Sequence, residues 1–370
     1  MKNMRLQAFE KEKINISNYV ENKWLTDDLK NFHLFSANIS TFFNEAYDEQ
    51  KHKDYYKELL SYRVLQGIDT HFYTMLDQVD DFYKEDLETT SPSIFVSFHI
   101  GSYRAILALL IKKNLDIVLL MDPRAYALQN KDVLNQYENI KKLFQSSSNI
   151  VILPADKKDL ALDIFMKTRQ GYSVLAFVDG NNGFGGSFKQ DHSLKVNFMG
   201  KDIMVKQGLA KLSHALSLKI VPIISHYDNM KQKWAFHVPV VPSKENKMED
   251  YAQNTMQSLY KILEEEVRKN PMQWDGWLYI HKFLADKTET KRCEDLYDAE
   301  KSYKINDSVG FFSLEDSYFL INRSNYKVFE IPKPVYFVLK TSTQKNYLSN
   351  DEMEKYDLYA LYREQILLAV

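Results

Sequence analysis

The sequence is short of the residues that cross-link and punctuate a chain. Among 370 residues there are one cysteine, nine prolines and eleven glycines. A single thiol, Cys293, excludes an internal disulfide framework and any metal centre built from several cysteines, and it fits a reducing cytosol. Strong charge of either sign is also missing. The net charge is −2, so no overall field draws the chain to nucleic acid, and no nucleic-acid partner is expected. No apolar run approaches the ~18–20 residues a membrane-spanning helix needs. The opening MKNMRLQAFEKEKINISNYV is too charged for a signal peptide. These absences predict a soluble, cytoplasmic protein, with peripheral membrane contact left open. What is present is globular: 45% hydrophobic and 14% aromatic residues, on a chain long enough for two or three domains.

The texture changes twice along the chain. Residues 1–90 contain no proline and only Gly67, and their apolar residues recur at helical spacing. Tyr56, Leu59, Leu60, Val64 and Leu65 form one stripe; Phe72, Leu76, Val79 and Phe82 form another. From Ser91 short apolar strands alternate with helices. SPSIFVSFH, LDIVLLMD, NIVILPA, YSVLAFVDG and LKIVPIIS read as strands. AILALLIKK, LNQYENIKKLF, LALDIFMKTRQ and VKQGLAKLSHALS read as helices between them. That alternation predicts an α/β domain over 91–285, a mostly parallel sheet in three layers with helices on both faces. Residues 285–300, charged and free of glycine, read as a linker or connecting helix. From 300 to 370 the pattern becomes two or three short strands with turns at LED and RSN, then PKPVYFVLKTS and SNDEMEKYDLYALYREQILL as helices. A small α+β, winged-helix-like module is expected there.

Ligands of such sheets gather beyond the carboxyl ends of the strands, and His99, Asp122, Asp179 and Ser225 are expected at those ends. His99 opens FHIGSYR. Gly101 permits close approach of backbone or ligand, and the following helix offers N–H groups for an oxyanion or phosphate. Arg104 sits in the first turn of that helix, where the helix dipole disfavours a cation. A second cluster is FVDGNNGFGGSFKQ, whose glycines suit a ligand-cradling loop but lack the spacing of a P-loop. A surface loop explains the same glycines. A third stretch, NPMQWDGWLYIHKFL, is aromatic-rich and on its own reads as core packing.

Taken in order, these pieces resemble the late acyltransferases of lipid A synthesis, the LpxL/HtrB type. The resemblance covers roughly residues 90–285. It matches His99 to the family's catalytic histidine, Arg124 in MDPRAY to its arginine, and Asp179 in FVDGNNG to its acidic loop. Residues 196–224 match the region that follows. Pro271, Gln273, Trp274, Trp277, His281 and Lys282 match its closing signature. The resemblance implies an acyltransferase drawing on acyl carrier protein or a CoA thioester, with no bound cofactor or metal. Three departures stand out. Arg104 occupies the place of the histidine's acidic partner, residues 1–90 are charged where the family has a membrane helix, and a further domain follows the signature.

Acyl transfer needs a base to take the acceptor's proton and an acceptor group to hold that base's other ring N–H. Arg104 has donors only and cannot hold His99. It is instead expected to keep the imidazole neutral or to bind an anionic group of a substrate. Asp179 is then the first choice for the orienting acid and Asp122 the second. The expected site is His99 and Asp179 as catalytic residues, with Arg104, Arg124, Gly101 and Asn181 binding substrate.

Residues 303–370, and SLEDSYFLINRSNYKVFEIPKPVYFVL within them, resemble the PqqD-like recognition element of ribosomal-peptide maturation enzymes. That resemblance implies leader-peptide binding at a sheet edge. A structural or dimerisation appendage accounts for the same residues. Three functions follow: acyl transfer to a precursor peptide, acyl transfer to a lipid or glycolipid at the cytoplasmic membrane face, or a non-catalytic binding protein on the acyltransferase scaffold.

Overall fold

A computed structural model of the chain describes residues 2–22, 26–71, 91–180, 193–243, 245, 247–285, 298, 301–345 and 347–370. The stripe Phe72, Leu76, Val79 and Phe82 and most of the expected linker at 285–300 lie outside the described residues. The fold is mixed α/β: a mostly parallel central sheet, helices before and between its strands, and small antiparallel sheets with helices at the C-terminal end. The chain divides into two compact units. One comprises Met1–Ser17, Lys57–Gly276 and Lys282–Ala285; the other comprises Asn18–Tyr56, Trp277–His281 and Asp286–Val370.

Three helices precede the sheet: α1 (Lys2–Asn22), α2 (Thr26–Phe43) and α3 (Glu49–Asp69). The first unit is organised on a six-stranded sheet. Its strands are β1 (Ile94–Ser97), β2 (Ile117–Met121), β3 (Ile150–Pro154), β4 (Ser173–Phe177), β7 (Ile220–Asp228) and β8 (Lys231–Phe236), in the order β3-β2-β4-β1-β7-β8. All pairs are parallel except β7 with β8. β1 is buried at every position, as a central parallel strand must be. The helix after it, α4 (Ala105–Lys112), buries Ala105, Ile106 and Ala108 through Ile111 in one cluster with Phe95, Ile117, Leu119 and Leu175. α5 (Pro123–Phe144) starts on Asp122, whose carboxylate accepts from the Arg124 and Ala125 N–H groups, with Pro123 in the first turn. α6 (Leu160–Arg169) and α7 (Gly208–Leu216) complete the connections. α8 (Met248–Lys269) turns one stripe inward, including Tyr251, Thr255, Leu259, Leu263 and Val267.

Two features were not expected. Residues 193–206 form an antiparallel hairpin, β5 (Ser193–Phe198) with β6 (Lys201–Lys206). β8 adds an antiparallel edge to the parallel sheet, so β7 runs on past Ser225 to Asp228, and Ser225 lies within the strand instead of at its end.

The second unit contains a three-stranded meander, β10 (Val309–Leu314), β11 (Ser317–Asn322) and β12 (Lys327–Ile331), followed by α9 (Lys333–Lys345). The stretch SNDEMEKYDLYALYREQILL is not continuously helical. A Ser349–Glu352 capping box starts α10 (Asn350–Lys355), Asp357 at φ 48° breaks it, and α11 (Tyr359–Arg363) follows. The chain then returns as β13 (Leu367–Ala369) to pair with β9 (Tyr303–Ile305). Leu339, Met353, Leu358 and Ile366 share the core of this module.

Candidate active site

The sheet register assembles the site. Ser97 at the end of β1 lies opposite Phe177 at the end of β4. Two residues beyond each come His99 and Asp179, so neighbouring strand ends bring together side chains 80 positions apart. His99 Nδ1 is 2.8 Å from Asp179 Oδ1. The His99 backbone N–H donates to Asp179 Oδ2 at 2.9 Å, and Trp274 Nε1–H donates to the same oxygen at 2.8 Å. Asp179 is 2% exposed, and these donors fix its orientation. With the Nδ1 proton facing the carboxylate, the neutral ring carries its lone pair on Nε2, the nitrogen a general base uses.

Electrostatics strengthen the imidazole as a base by favouring its protonated form. Burial alone lowers the His99 pKa, but the Asp179 carboxylate, through charge and hydrogen bond, raises it. Asp275 adds to the rise and Arg104 opposes it, and the net position is above the ordinary 6.5. Tyr103 and Phe177 wall the imidazole, with ring centroids at 4.8 Å and 5.1 Å.

The PMQWDGW stretch, which reads as core packing in the sequence, holds the histidine loop in place. Gly101 N–H donates to Gln273 O at 3.0 Å, and Asp275 N–H donates to His99 O at 2.9 Å. The Gln273 side chain continues the lattice, accepting from Tyr227 N–H at 2.7 Å and donating to Tyr227 O at 2.9 Å. Gly276 is required here, because a Cβ at that position would stand 2.1 Å from the Trp274 indole. Asp275 itself is a second buried acid near His99. Burial raises its pKa, and Arg63 Nε stands 3.6 Å from its Oδ1.

His99 opens into a cavity of about 1090 Å³, slightly above the ~300–1,000 Å³ usual for ligand pockets. Its walls include Leu107, Leu119, Ile140, Ile164 and Leu175. Lys157, Lys158, Lys206 and Lys211 also line it. Among the described residues, no group of three or more His, Cys, Asp or Glu side chains is placed to hold a metal ion.

The other sequence candidates fall in different places. Arg104 is exposed, lines the cavity, and donates from Nε to the Tyr103 hydroxyl at 3.3 Å. Gly101 is needed for packing: at φ +56° its α-carbon lies against β7, and a Cβ would come within 2.4 Å of Ser225 O. Its N–H is already taken by Gln273, so the close approach it permits is that of backbone. Arg124 is an exposed residue in the first turn of α5 and is absent from the cavity lining. Asp122 lines the cavity, but its carboxylate is taken up in capping α5. Asn181 lies outside the described residues. The sequence reading missed Tyr103, Asp275 and the tie from Trp274 to Asp179. The aromatic WDGW text was the available signal for the last two.

A family model, that of the bacterial lipid A biosynthesis acyltransferases, matches residues 91–284. No curated protein matches the chain.

Proposed function

The chain belongs to the bacterial lipid A biosynthesis acyltransferase family and is an acyltransferase, and from that premise we propose that it acylates a ribosomally made precursor peptide in the cytoplasm. The donor is an acyl thioester, acyl-ACP or acyl-CoA, and the acceptor atom is an amine or hydroxyl of the peptide. The observation that carries the chemistry is the Asp179 carboxylate on His99 Nδ1, at the mouth of an apolar cavity. His99 Nε2 takes the acceptor's proton as that atom attacks the thioester carbonyl carbon. The C–S bond then breaks, and the leaving thiolate takes the proton from the imidazolium. Asp179 holds the ring in the one tautomer that suits this and offsets the charge it gains. The cavity takes the acyl chain. The lysines along it suit the phosphates of CoA or the acidic surface of a carrier protein.

The acceptor reading rests on the C-terminal module, taken as residues 300–370, downstream of the 91–285 acyltransferase region. β10 carries His33 on its Phe311 carbonyl at 3.1 Å, and α2 packs on that strand. β12 is the opposite edge of the meander, with Lys327, Val328 and Glu330 exposed. An extended leader adding to the sheet would dock on β12.

One observation favours a lipid or glycolipid acceptor. α6 exposes Leu162, Phe165 and Met166, at 60%, 41% and 52%, while Leu160 and Ile164 of the same helix line the cavity. An apolar exposed face on a cavity-forming helix suits an interfacial enzyme. Mass spectrometry of products, after incubation of the full chain with acyl-CoA or acyl-ACP and either leader-bearing peptides or phospholipid vesicles, separates the two. Acylated peptide, together with leader binding lost on Val328→Pro, supports the peptide acceptor. Acylated lipid without peptide product overturns it.

A further inference from the structure

Backbone N–H groups are the common oxyanion donors in acyl transfer, and several of the described ones around His99 are engaged. His99 N–H donates to Asp179, Ile100 N–H to Phe98 O at 2.8 Å, and Gly101 N–H to Gln273 O at 3.0 Å. At the start of α4, Ala105 N–H donates to Ser102 O at 3.0 Å and Ile106 N–H to Tyr103 O at 3.1 Å. Among the described residues, a side chain beside the imidazole with a hydroxyl to offer is that of Tyr103. It lines the cavity together with His99, its ring set edge-on at 70° to the imidazole and packed 5.5 Å from Phe177. Its oxygen accepts from Arg104 Nε, whose guanidinium lies 5.8 Å from the phenol ring. A phenol that accepts from a cation has its O–H polarised for donation to a third group.

We propose that Tyr103 is a catalytic residue whose hydroxyl, polarised by Arg104, donates to the thioester carbonyl oxygen and stabilises the oxyanion. The proposal rests on the acyl-transfer reading of His99. As the acceptor atom bonds to the carbonyl carbon, its proton passes to His99 Nε2 and the carbonyl π pair moves onto oxygen. The Tyr103 O–H shares its proton with that oxygen without giving it up. When the pair returns, the C–S bond breaks and the thiolate takes the proton from His99. Burial raises the Tyr103 pKa from 10.0, so the phenol remains a donor at neutral pH. This also accounts for a cation at position 104. With Asp179 holding the histidine from β4, position 104 no longer has to supply an acid, and an arginine there activates the phenol beside it.

Tyr103→Phe tests the proposal, because it keeps the ring against His99 and Phe177 and removes only the hydroxyl. With an acyl-CoA as donor and thiol release as the readout, kcat is expected to fall about 100-fold, with KM for the donor changed by less than about threefold. The acid limb of the pH profile, set by His99, is expected to stay in place. A variant within about twofold of wild-type kcat, alongside an inactive His99→Ala, shows that the Tyr103 hydroxyl does not stabilise the oxyanion and overturns the proposal. A fall in kcat with a displaced acid limb shows that the hydroxyl positions His99, and overturns it as well. Full turnover by both variants defeats the general-base reading itself, and the proposal with it.

Discussion

His99 in the first unit and His33 in the second each stand against a charged partner, and the sign of that partner separates them. His33 is 6% exposed. Its Nδ1 accepts from Arg323 Nη2 at 2.9 Å, so its Nε2 donates to Phe311 O at 3.1 Å. Burial, and then the Arg323 charge, lower its pKa to about 3. Both nitrogens are engaged and the ring is locked neutral, as a piece of scaffolding. His99 has one nitrogen on a carboxylate and the rest of the ring facing a cavity, and its pKa is raised. A partner that accepts leaves a usable base, whereas a partner that donates removes one. Burial by itself does not tell the two apart.

The comparison is most severely tested at Asp179. Asp179→Asn replaces an acceptor-only group with one that also donates, so the His99 tautomer is no longer dictated. The kcat of acyl transfer is expected to fall about 1,000-fold, or ~4 kcal/mol of transition-state stabilisation. A fall of less than about tenfold in thiol release would mean that Asp179 does not orient the base.

The His33 half predicts a stability effect of opposite sign to that of His99. The folded-state pKa of His33, about 3, lies below the ordinary histidine value of 6.5. The unfolded chain therefore binds the extra proton, and stability is lost as pH falls from about 6.5 towards 3, by an amount on the order of a few kcal/mol. Above 6.5 this group contributes no slope. His99, raised, contributes stability that is full below 6.5 and declines as pH rises through its folded pKa. Urea midpoints at pH 7 and pH 5 should differ less in His33→Asn than in wild type. Equal differences would show that His33 is not the buried neutral group described.

The smallest effect is expected on the pH profile, apart from any fall in kcat that follows from the loss of the Arg104–Tyr103 contact. Arg104 lowers the His99 pKa against the pull of Asp179, so Arg104→Gln should move the acid limb of the pH–rate profile to higher pH. An unmoved limb would show that the guanidinium is screened from the imidazole.

Much of the sheet was legible because its strands are apolar throughout and separated by helices of clear periodicity. β1 and β4, buried along nearly their whole length, are the plainest cases. The β5–β6 hairpin and β8 were not legible. In KQKWAF only Trp234 is buried, and SLKVNF carries exposed Lys195 and Asn197, so neither stretch has the apolar density of a buried strand. It is Asp179, and not Asp122, whose carboxylate lies on the His99 ring, and the reason was not in the text. It depends on β4 lying beside β1, with β2 one place further out. Asp122, at an equally suitable strand end, is occupied as a helix cap. Gly101 was picked out as a place of close approach, yet what approaches is the backbone of β7, a contact set by tertiary packing. Tyr103 gave no sequence signal, because a tyrosine after a serine in a helix-initiating turn is unremarkable until the cavity beside it is seen.

The central claim is that His99 is the base of an acyl transfer, and its direct measurement is the turnover of purified, folded His99→Ala with an acyl-CoA or acyl-ACP donor, read as thiol release. The account predicts loss of at least about 1,000-fold in kcat with an unchanged melting temperature. Near-normal turnover by the folded variant would contradict it.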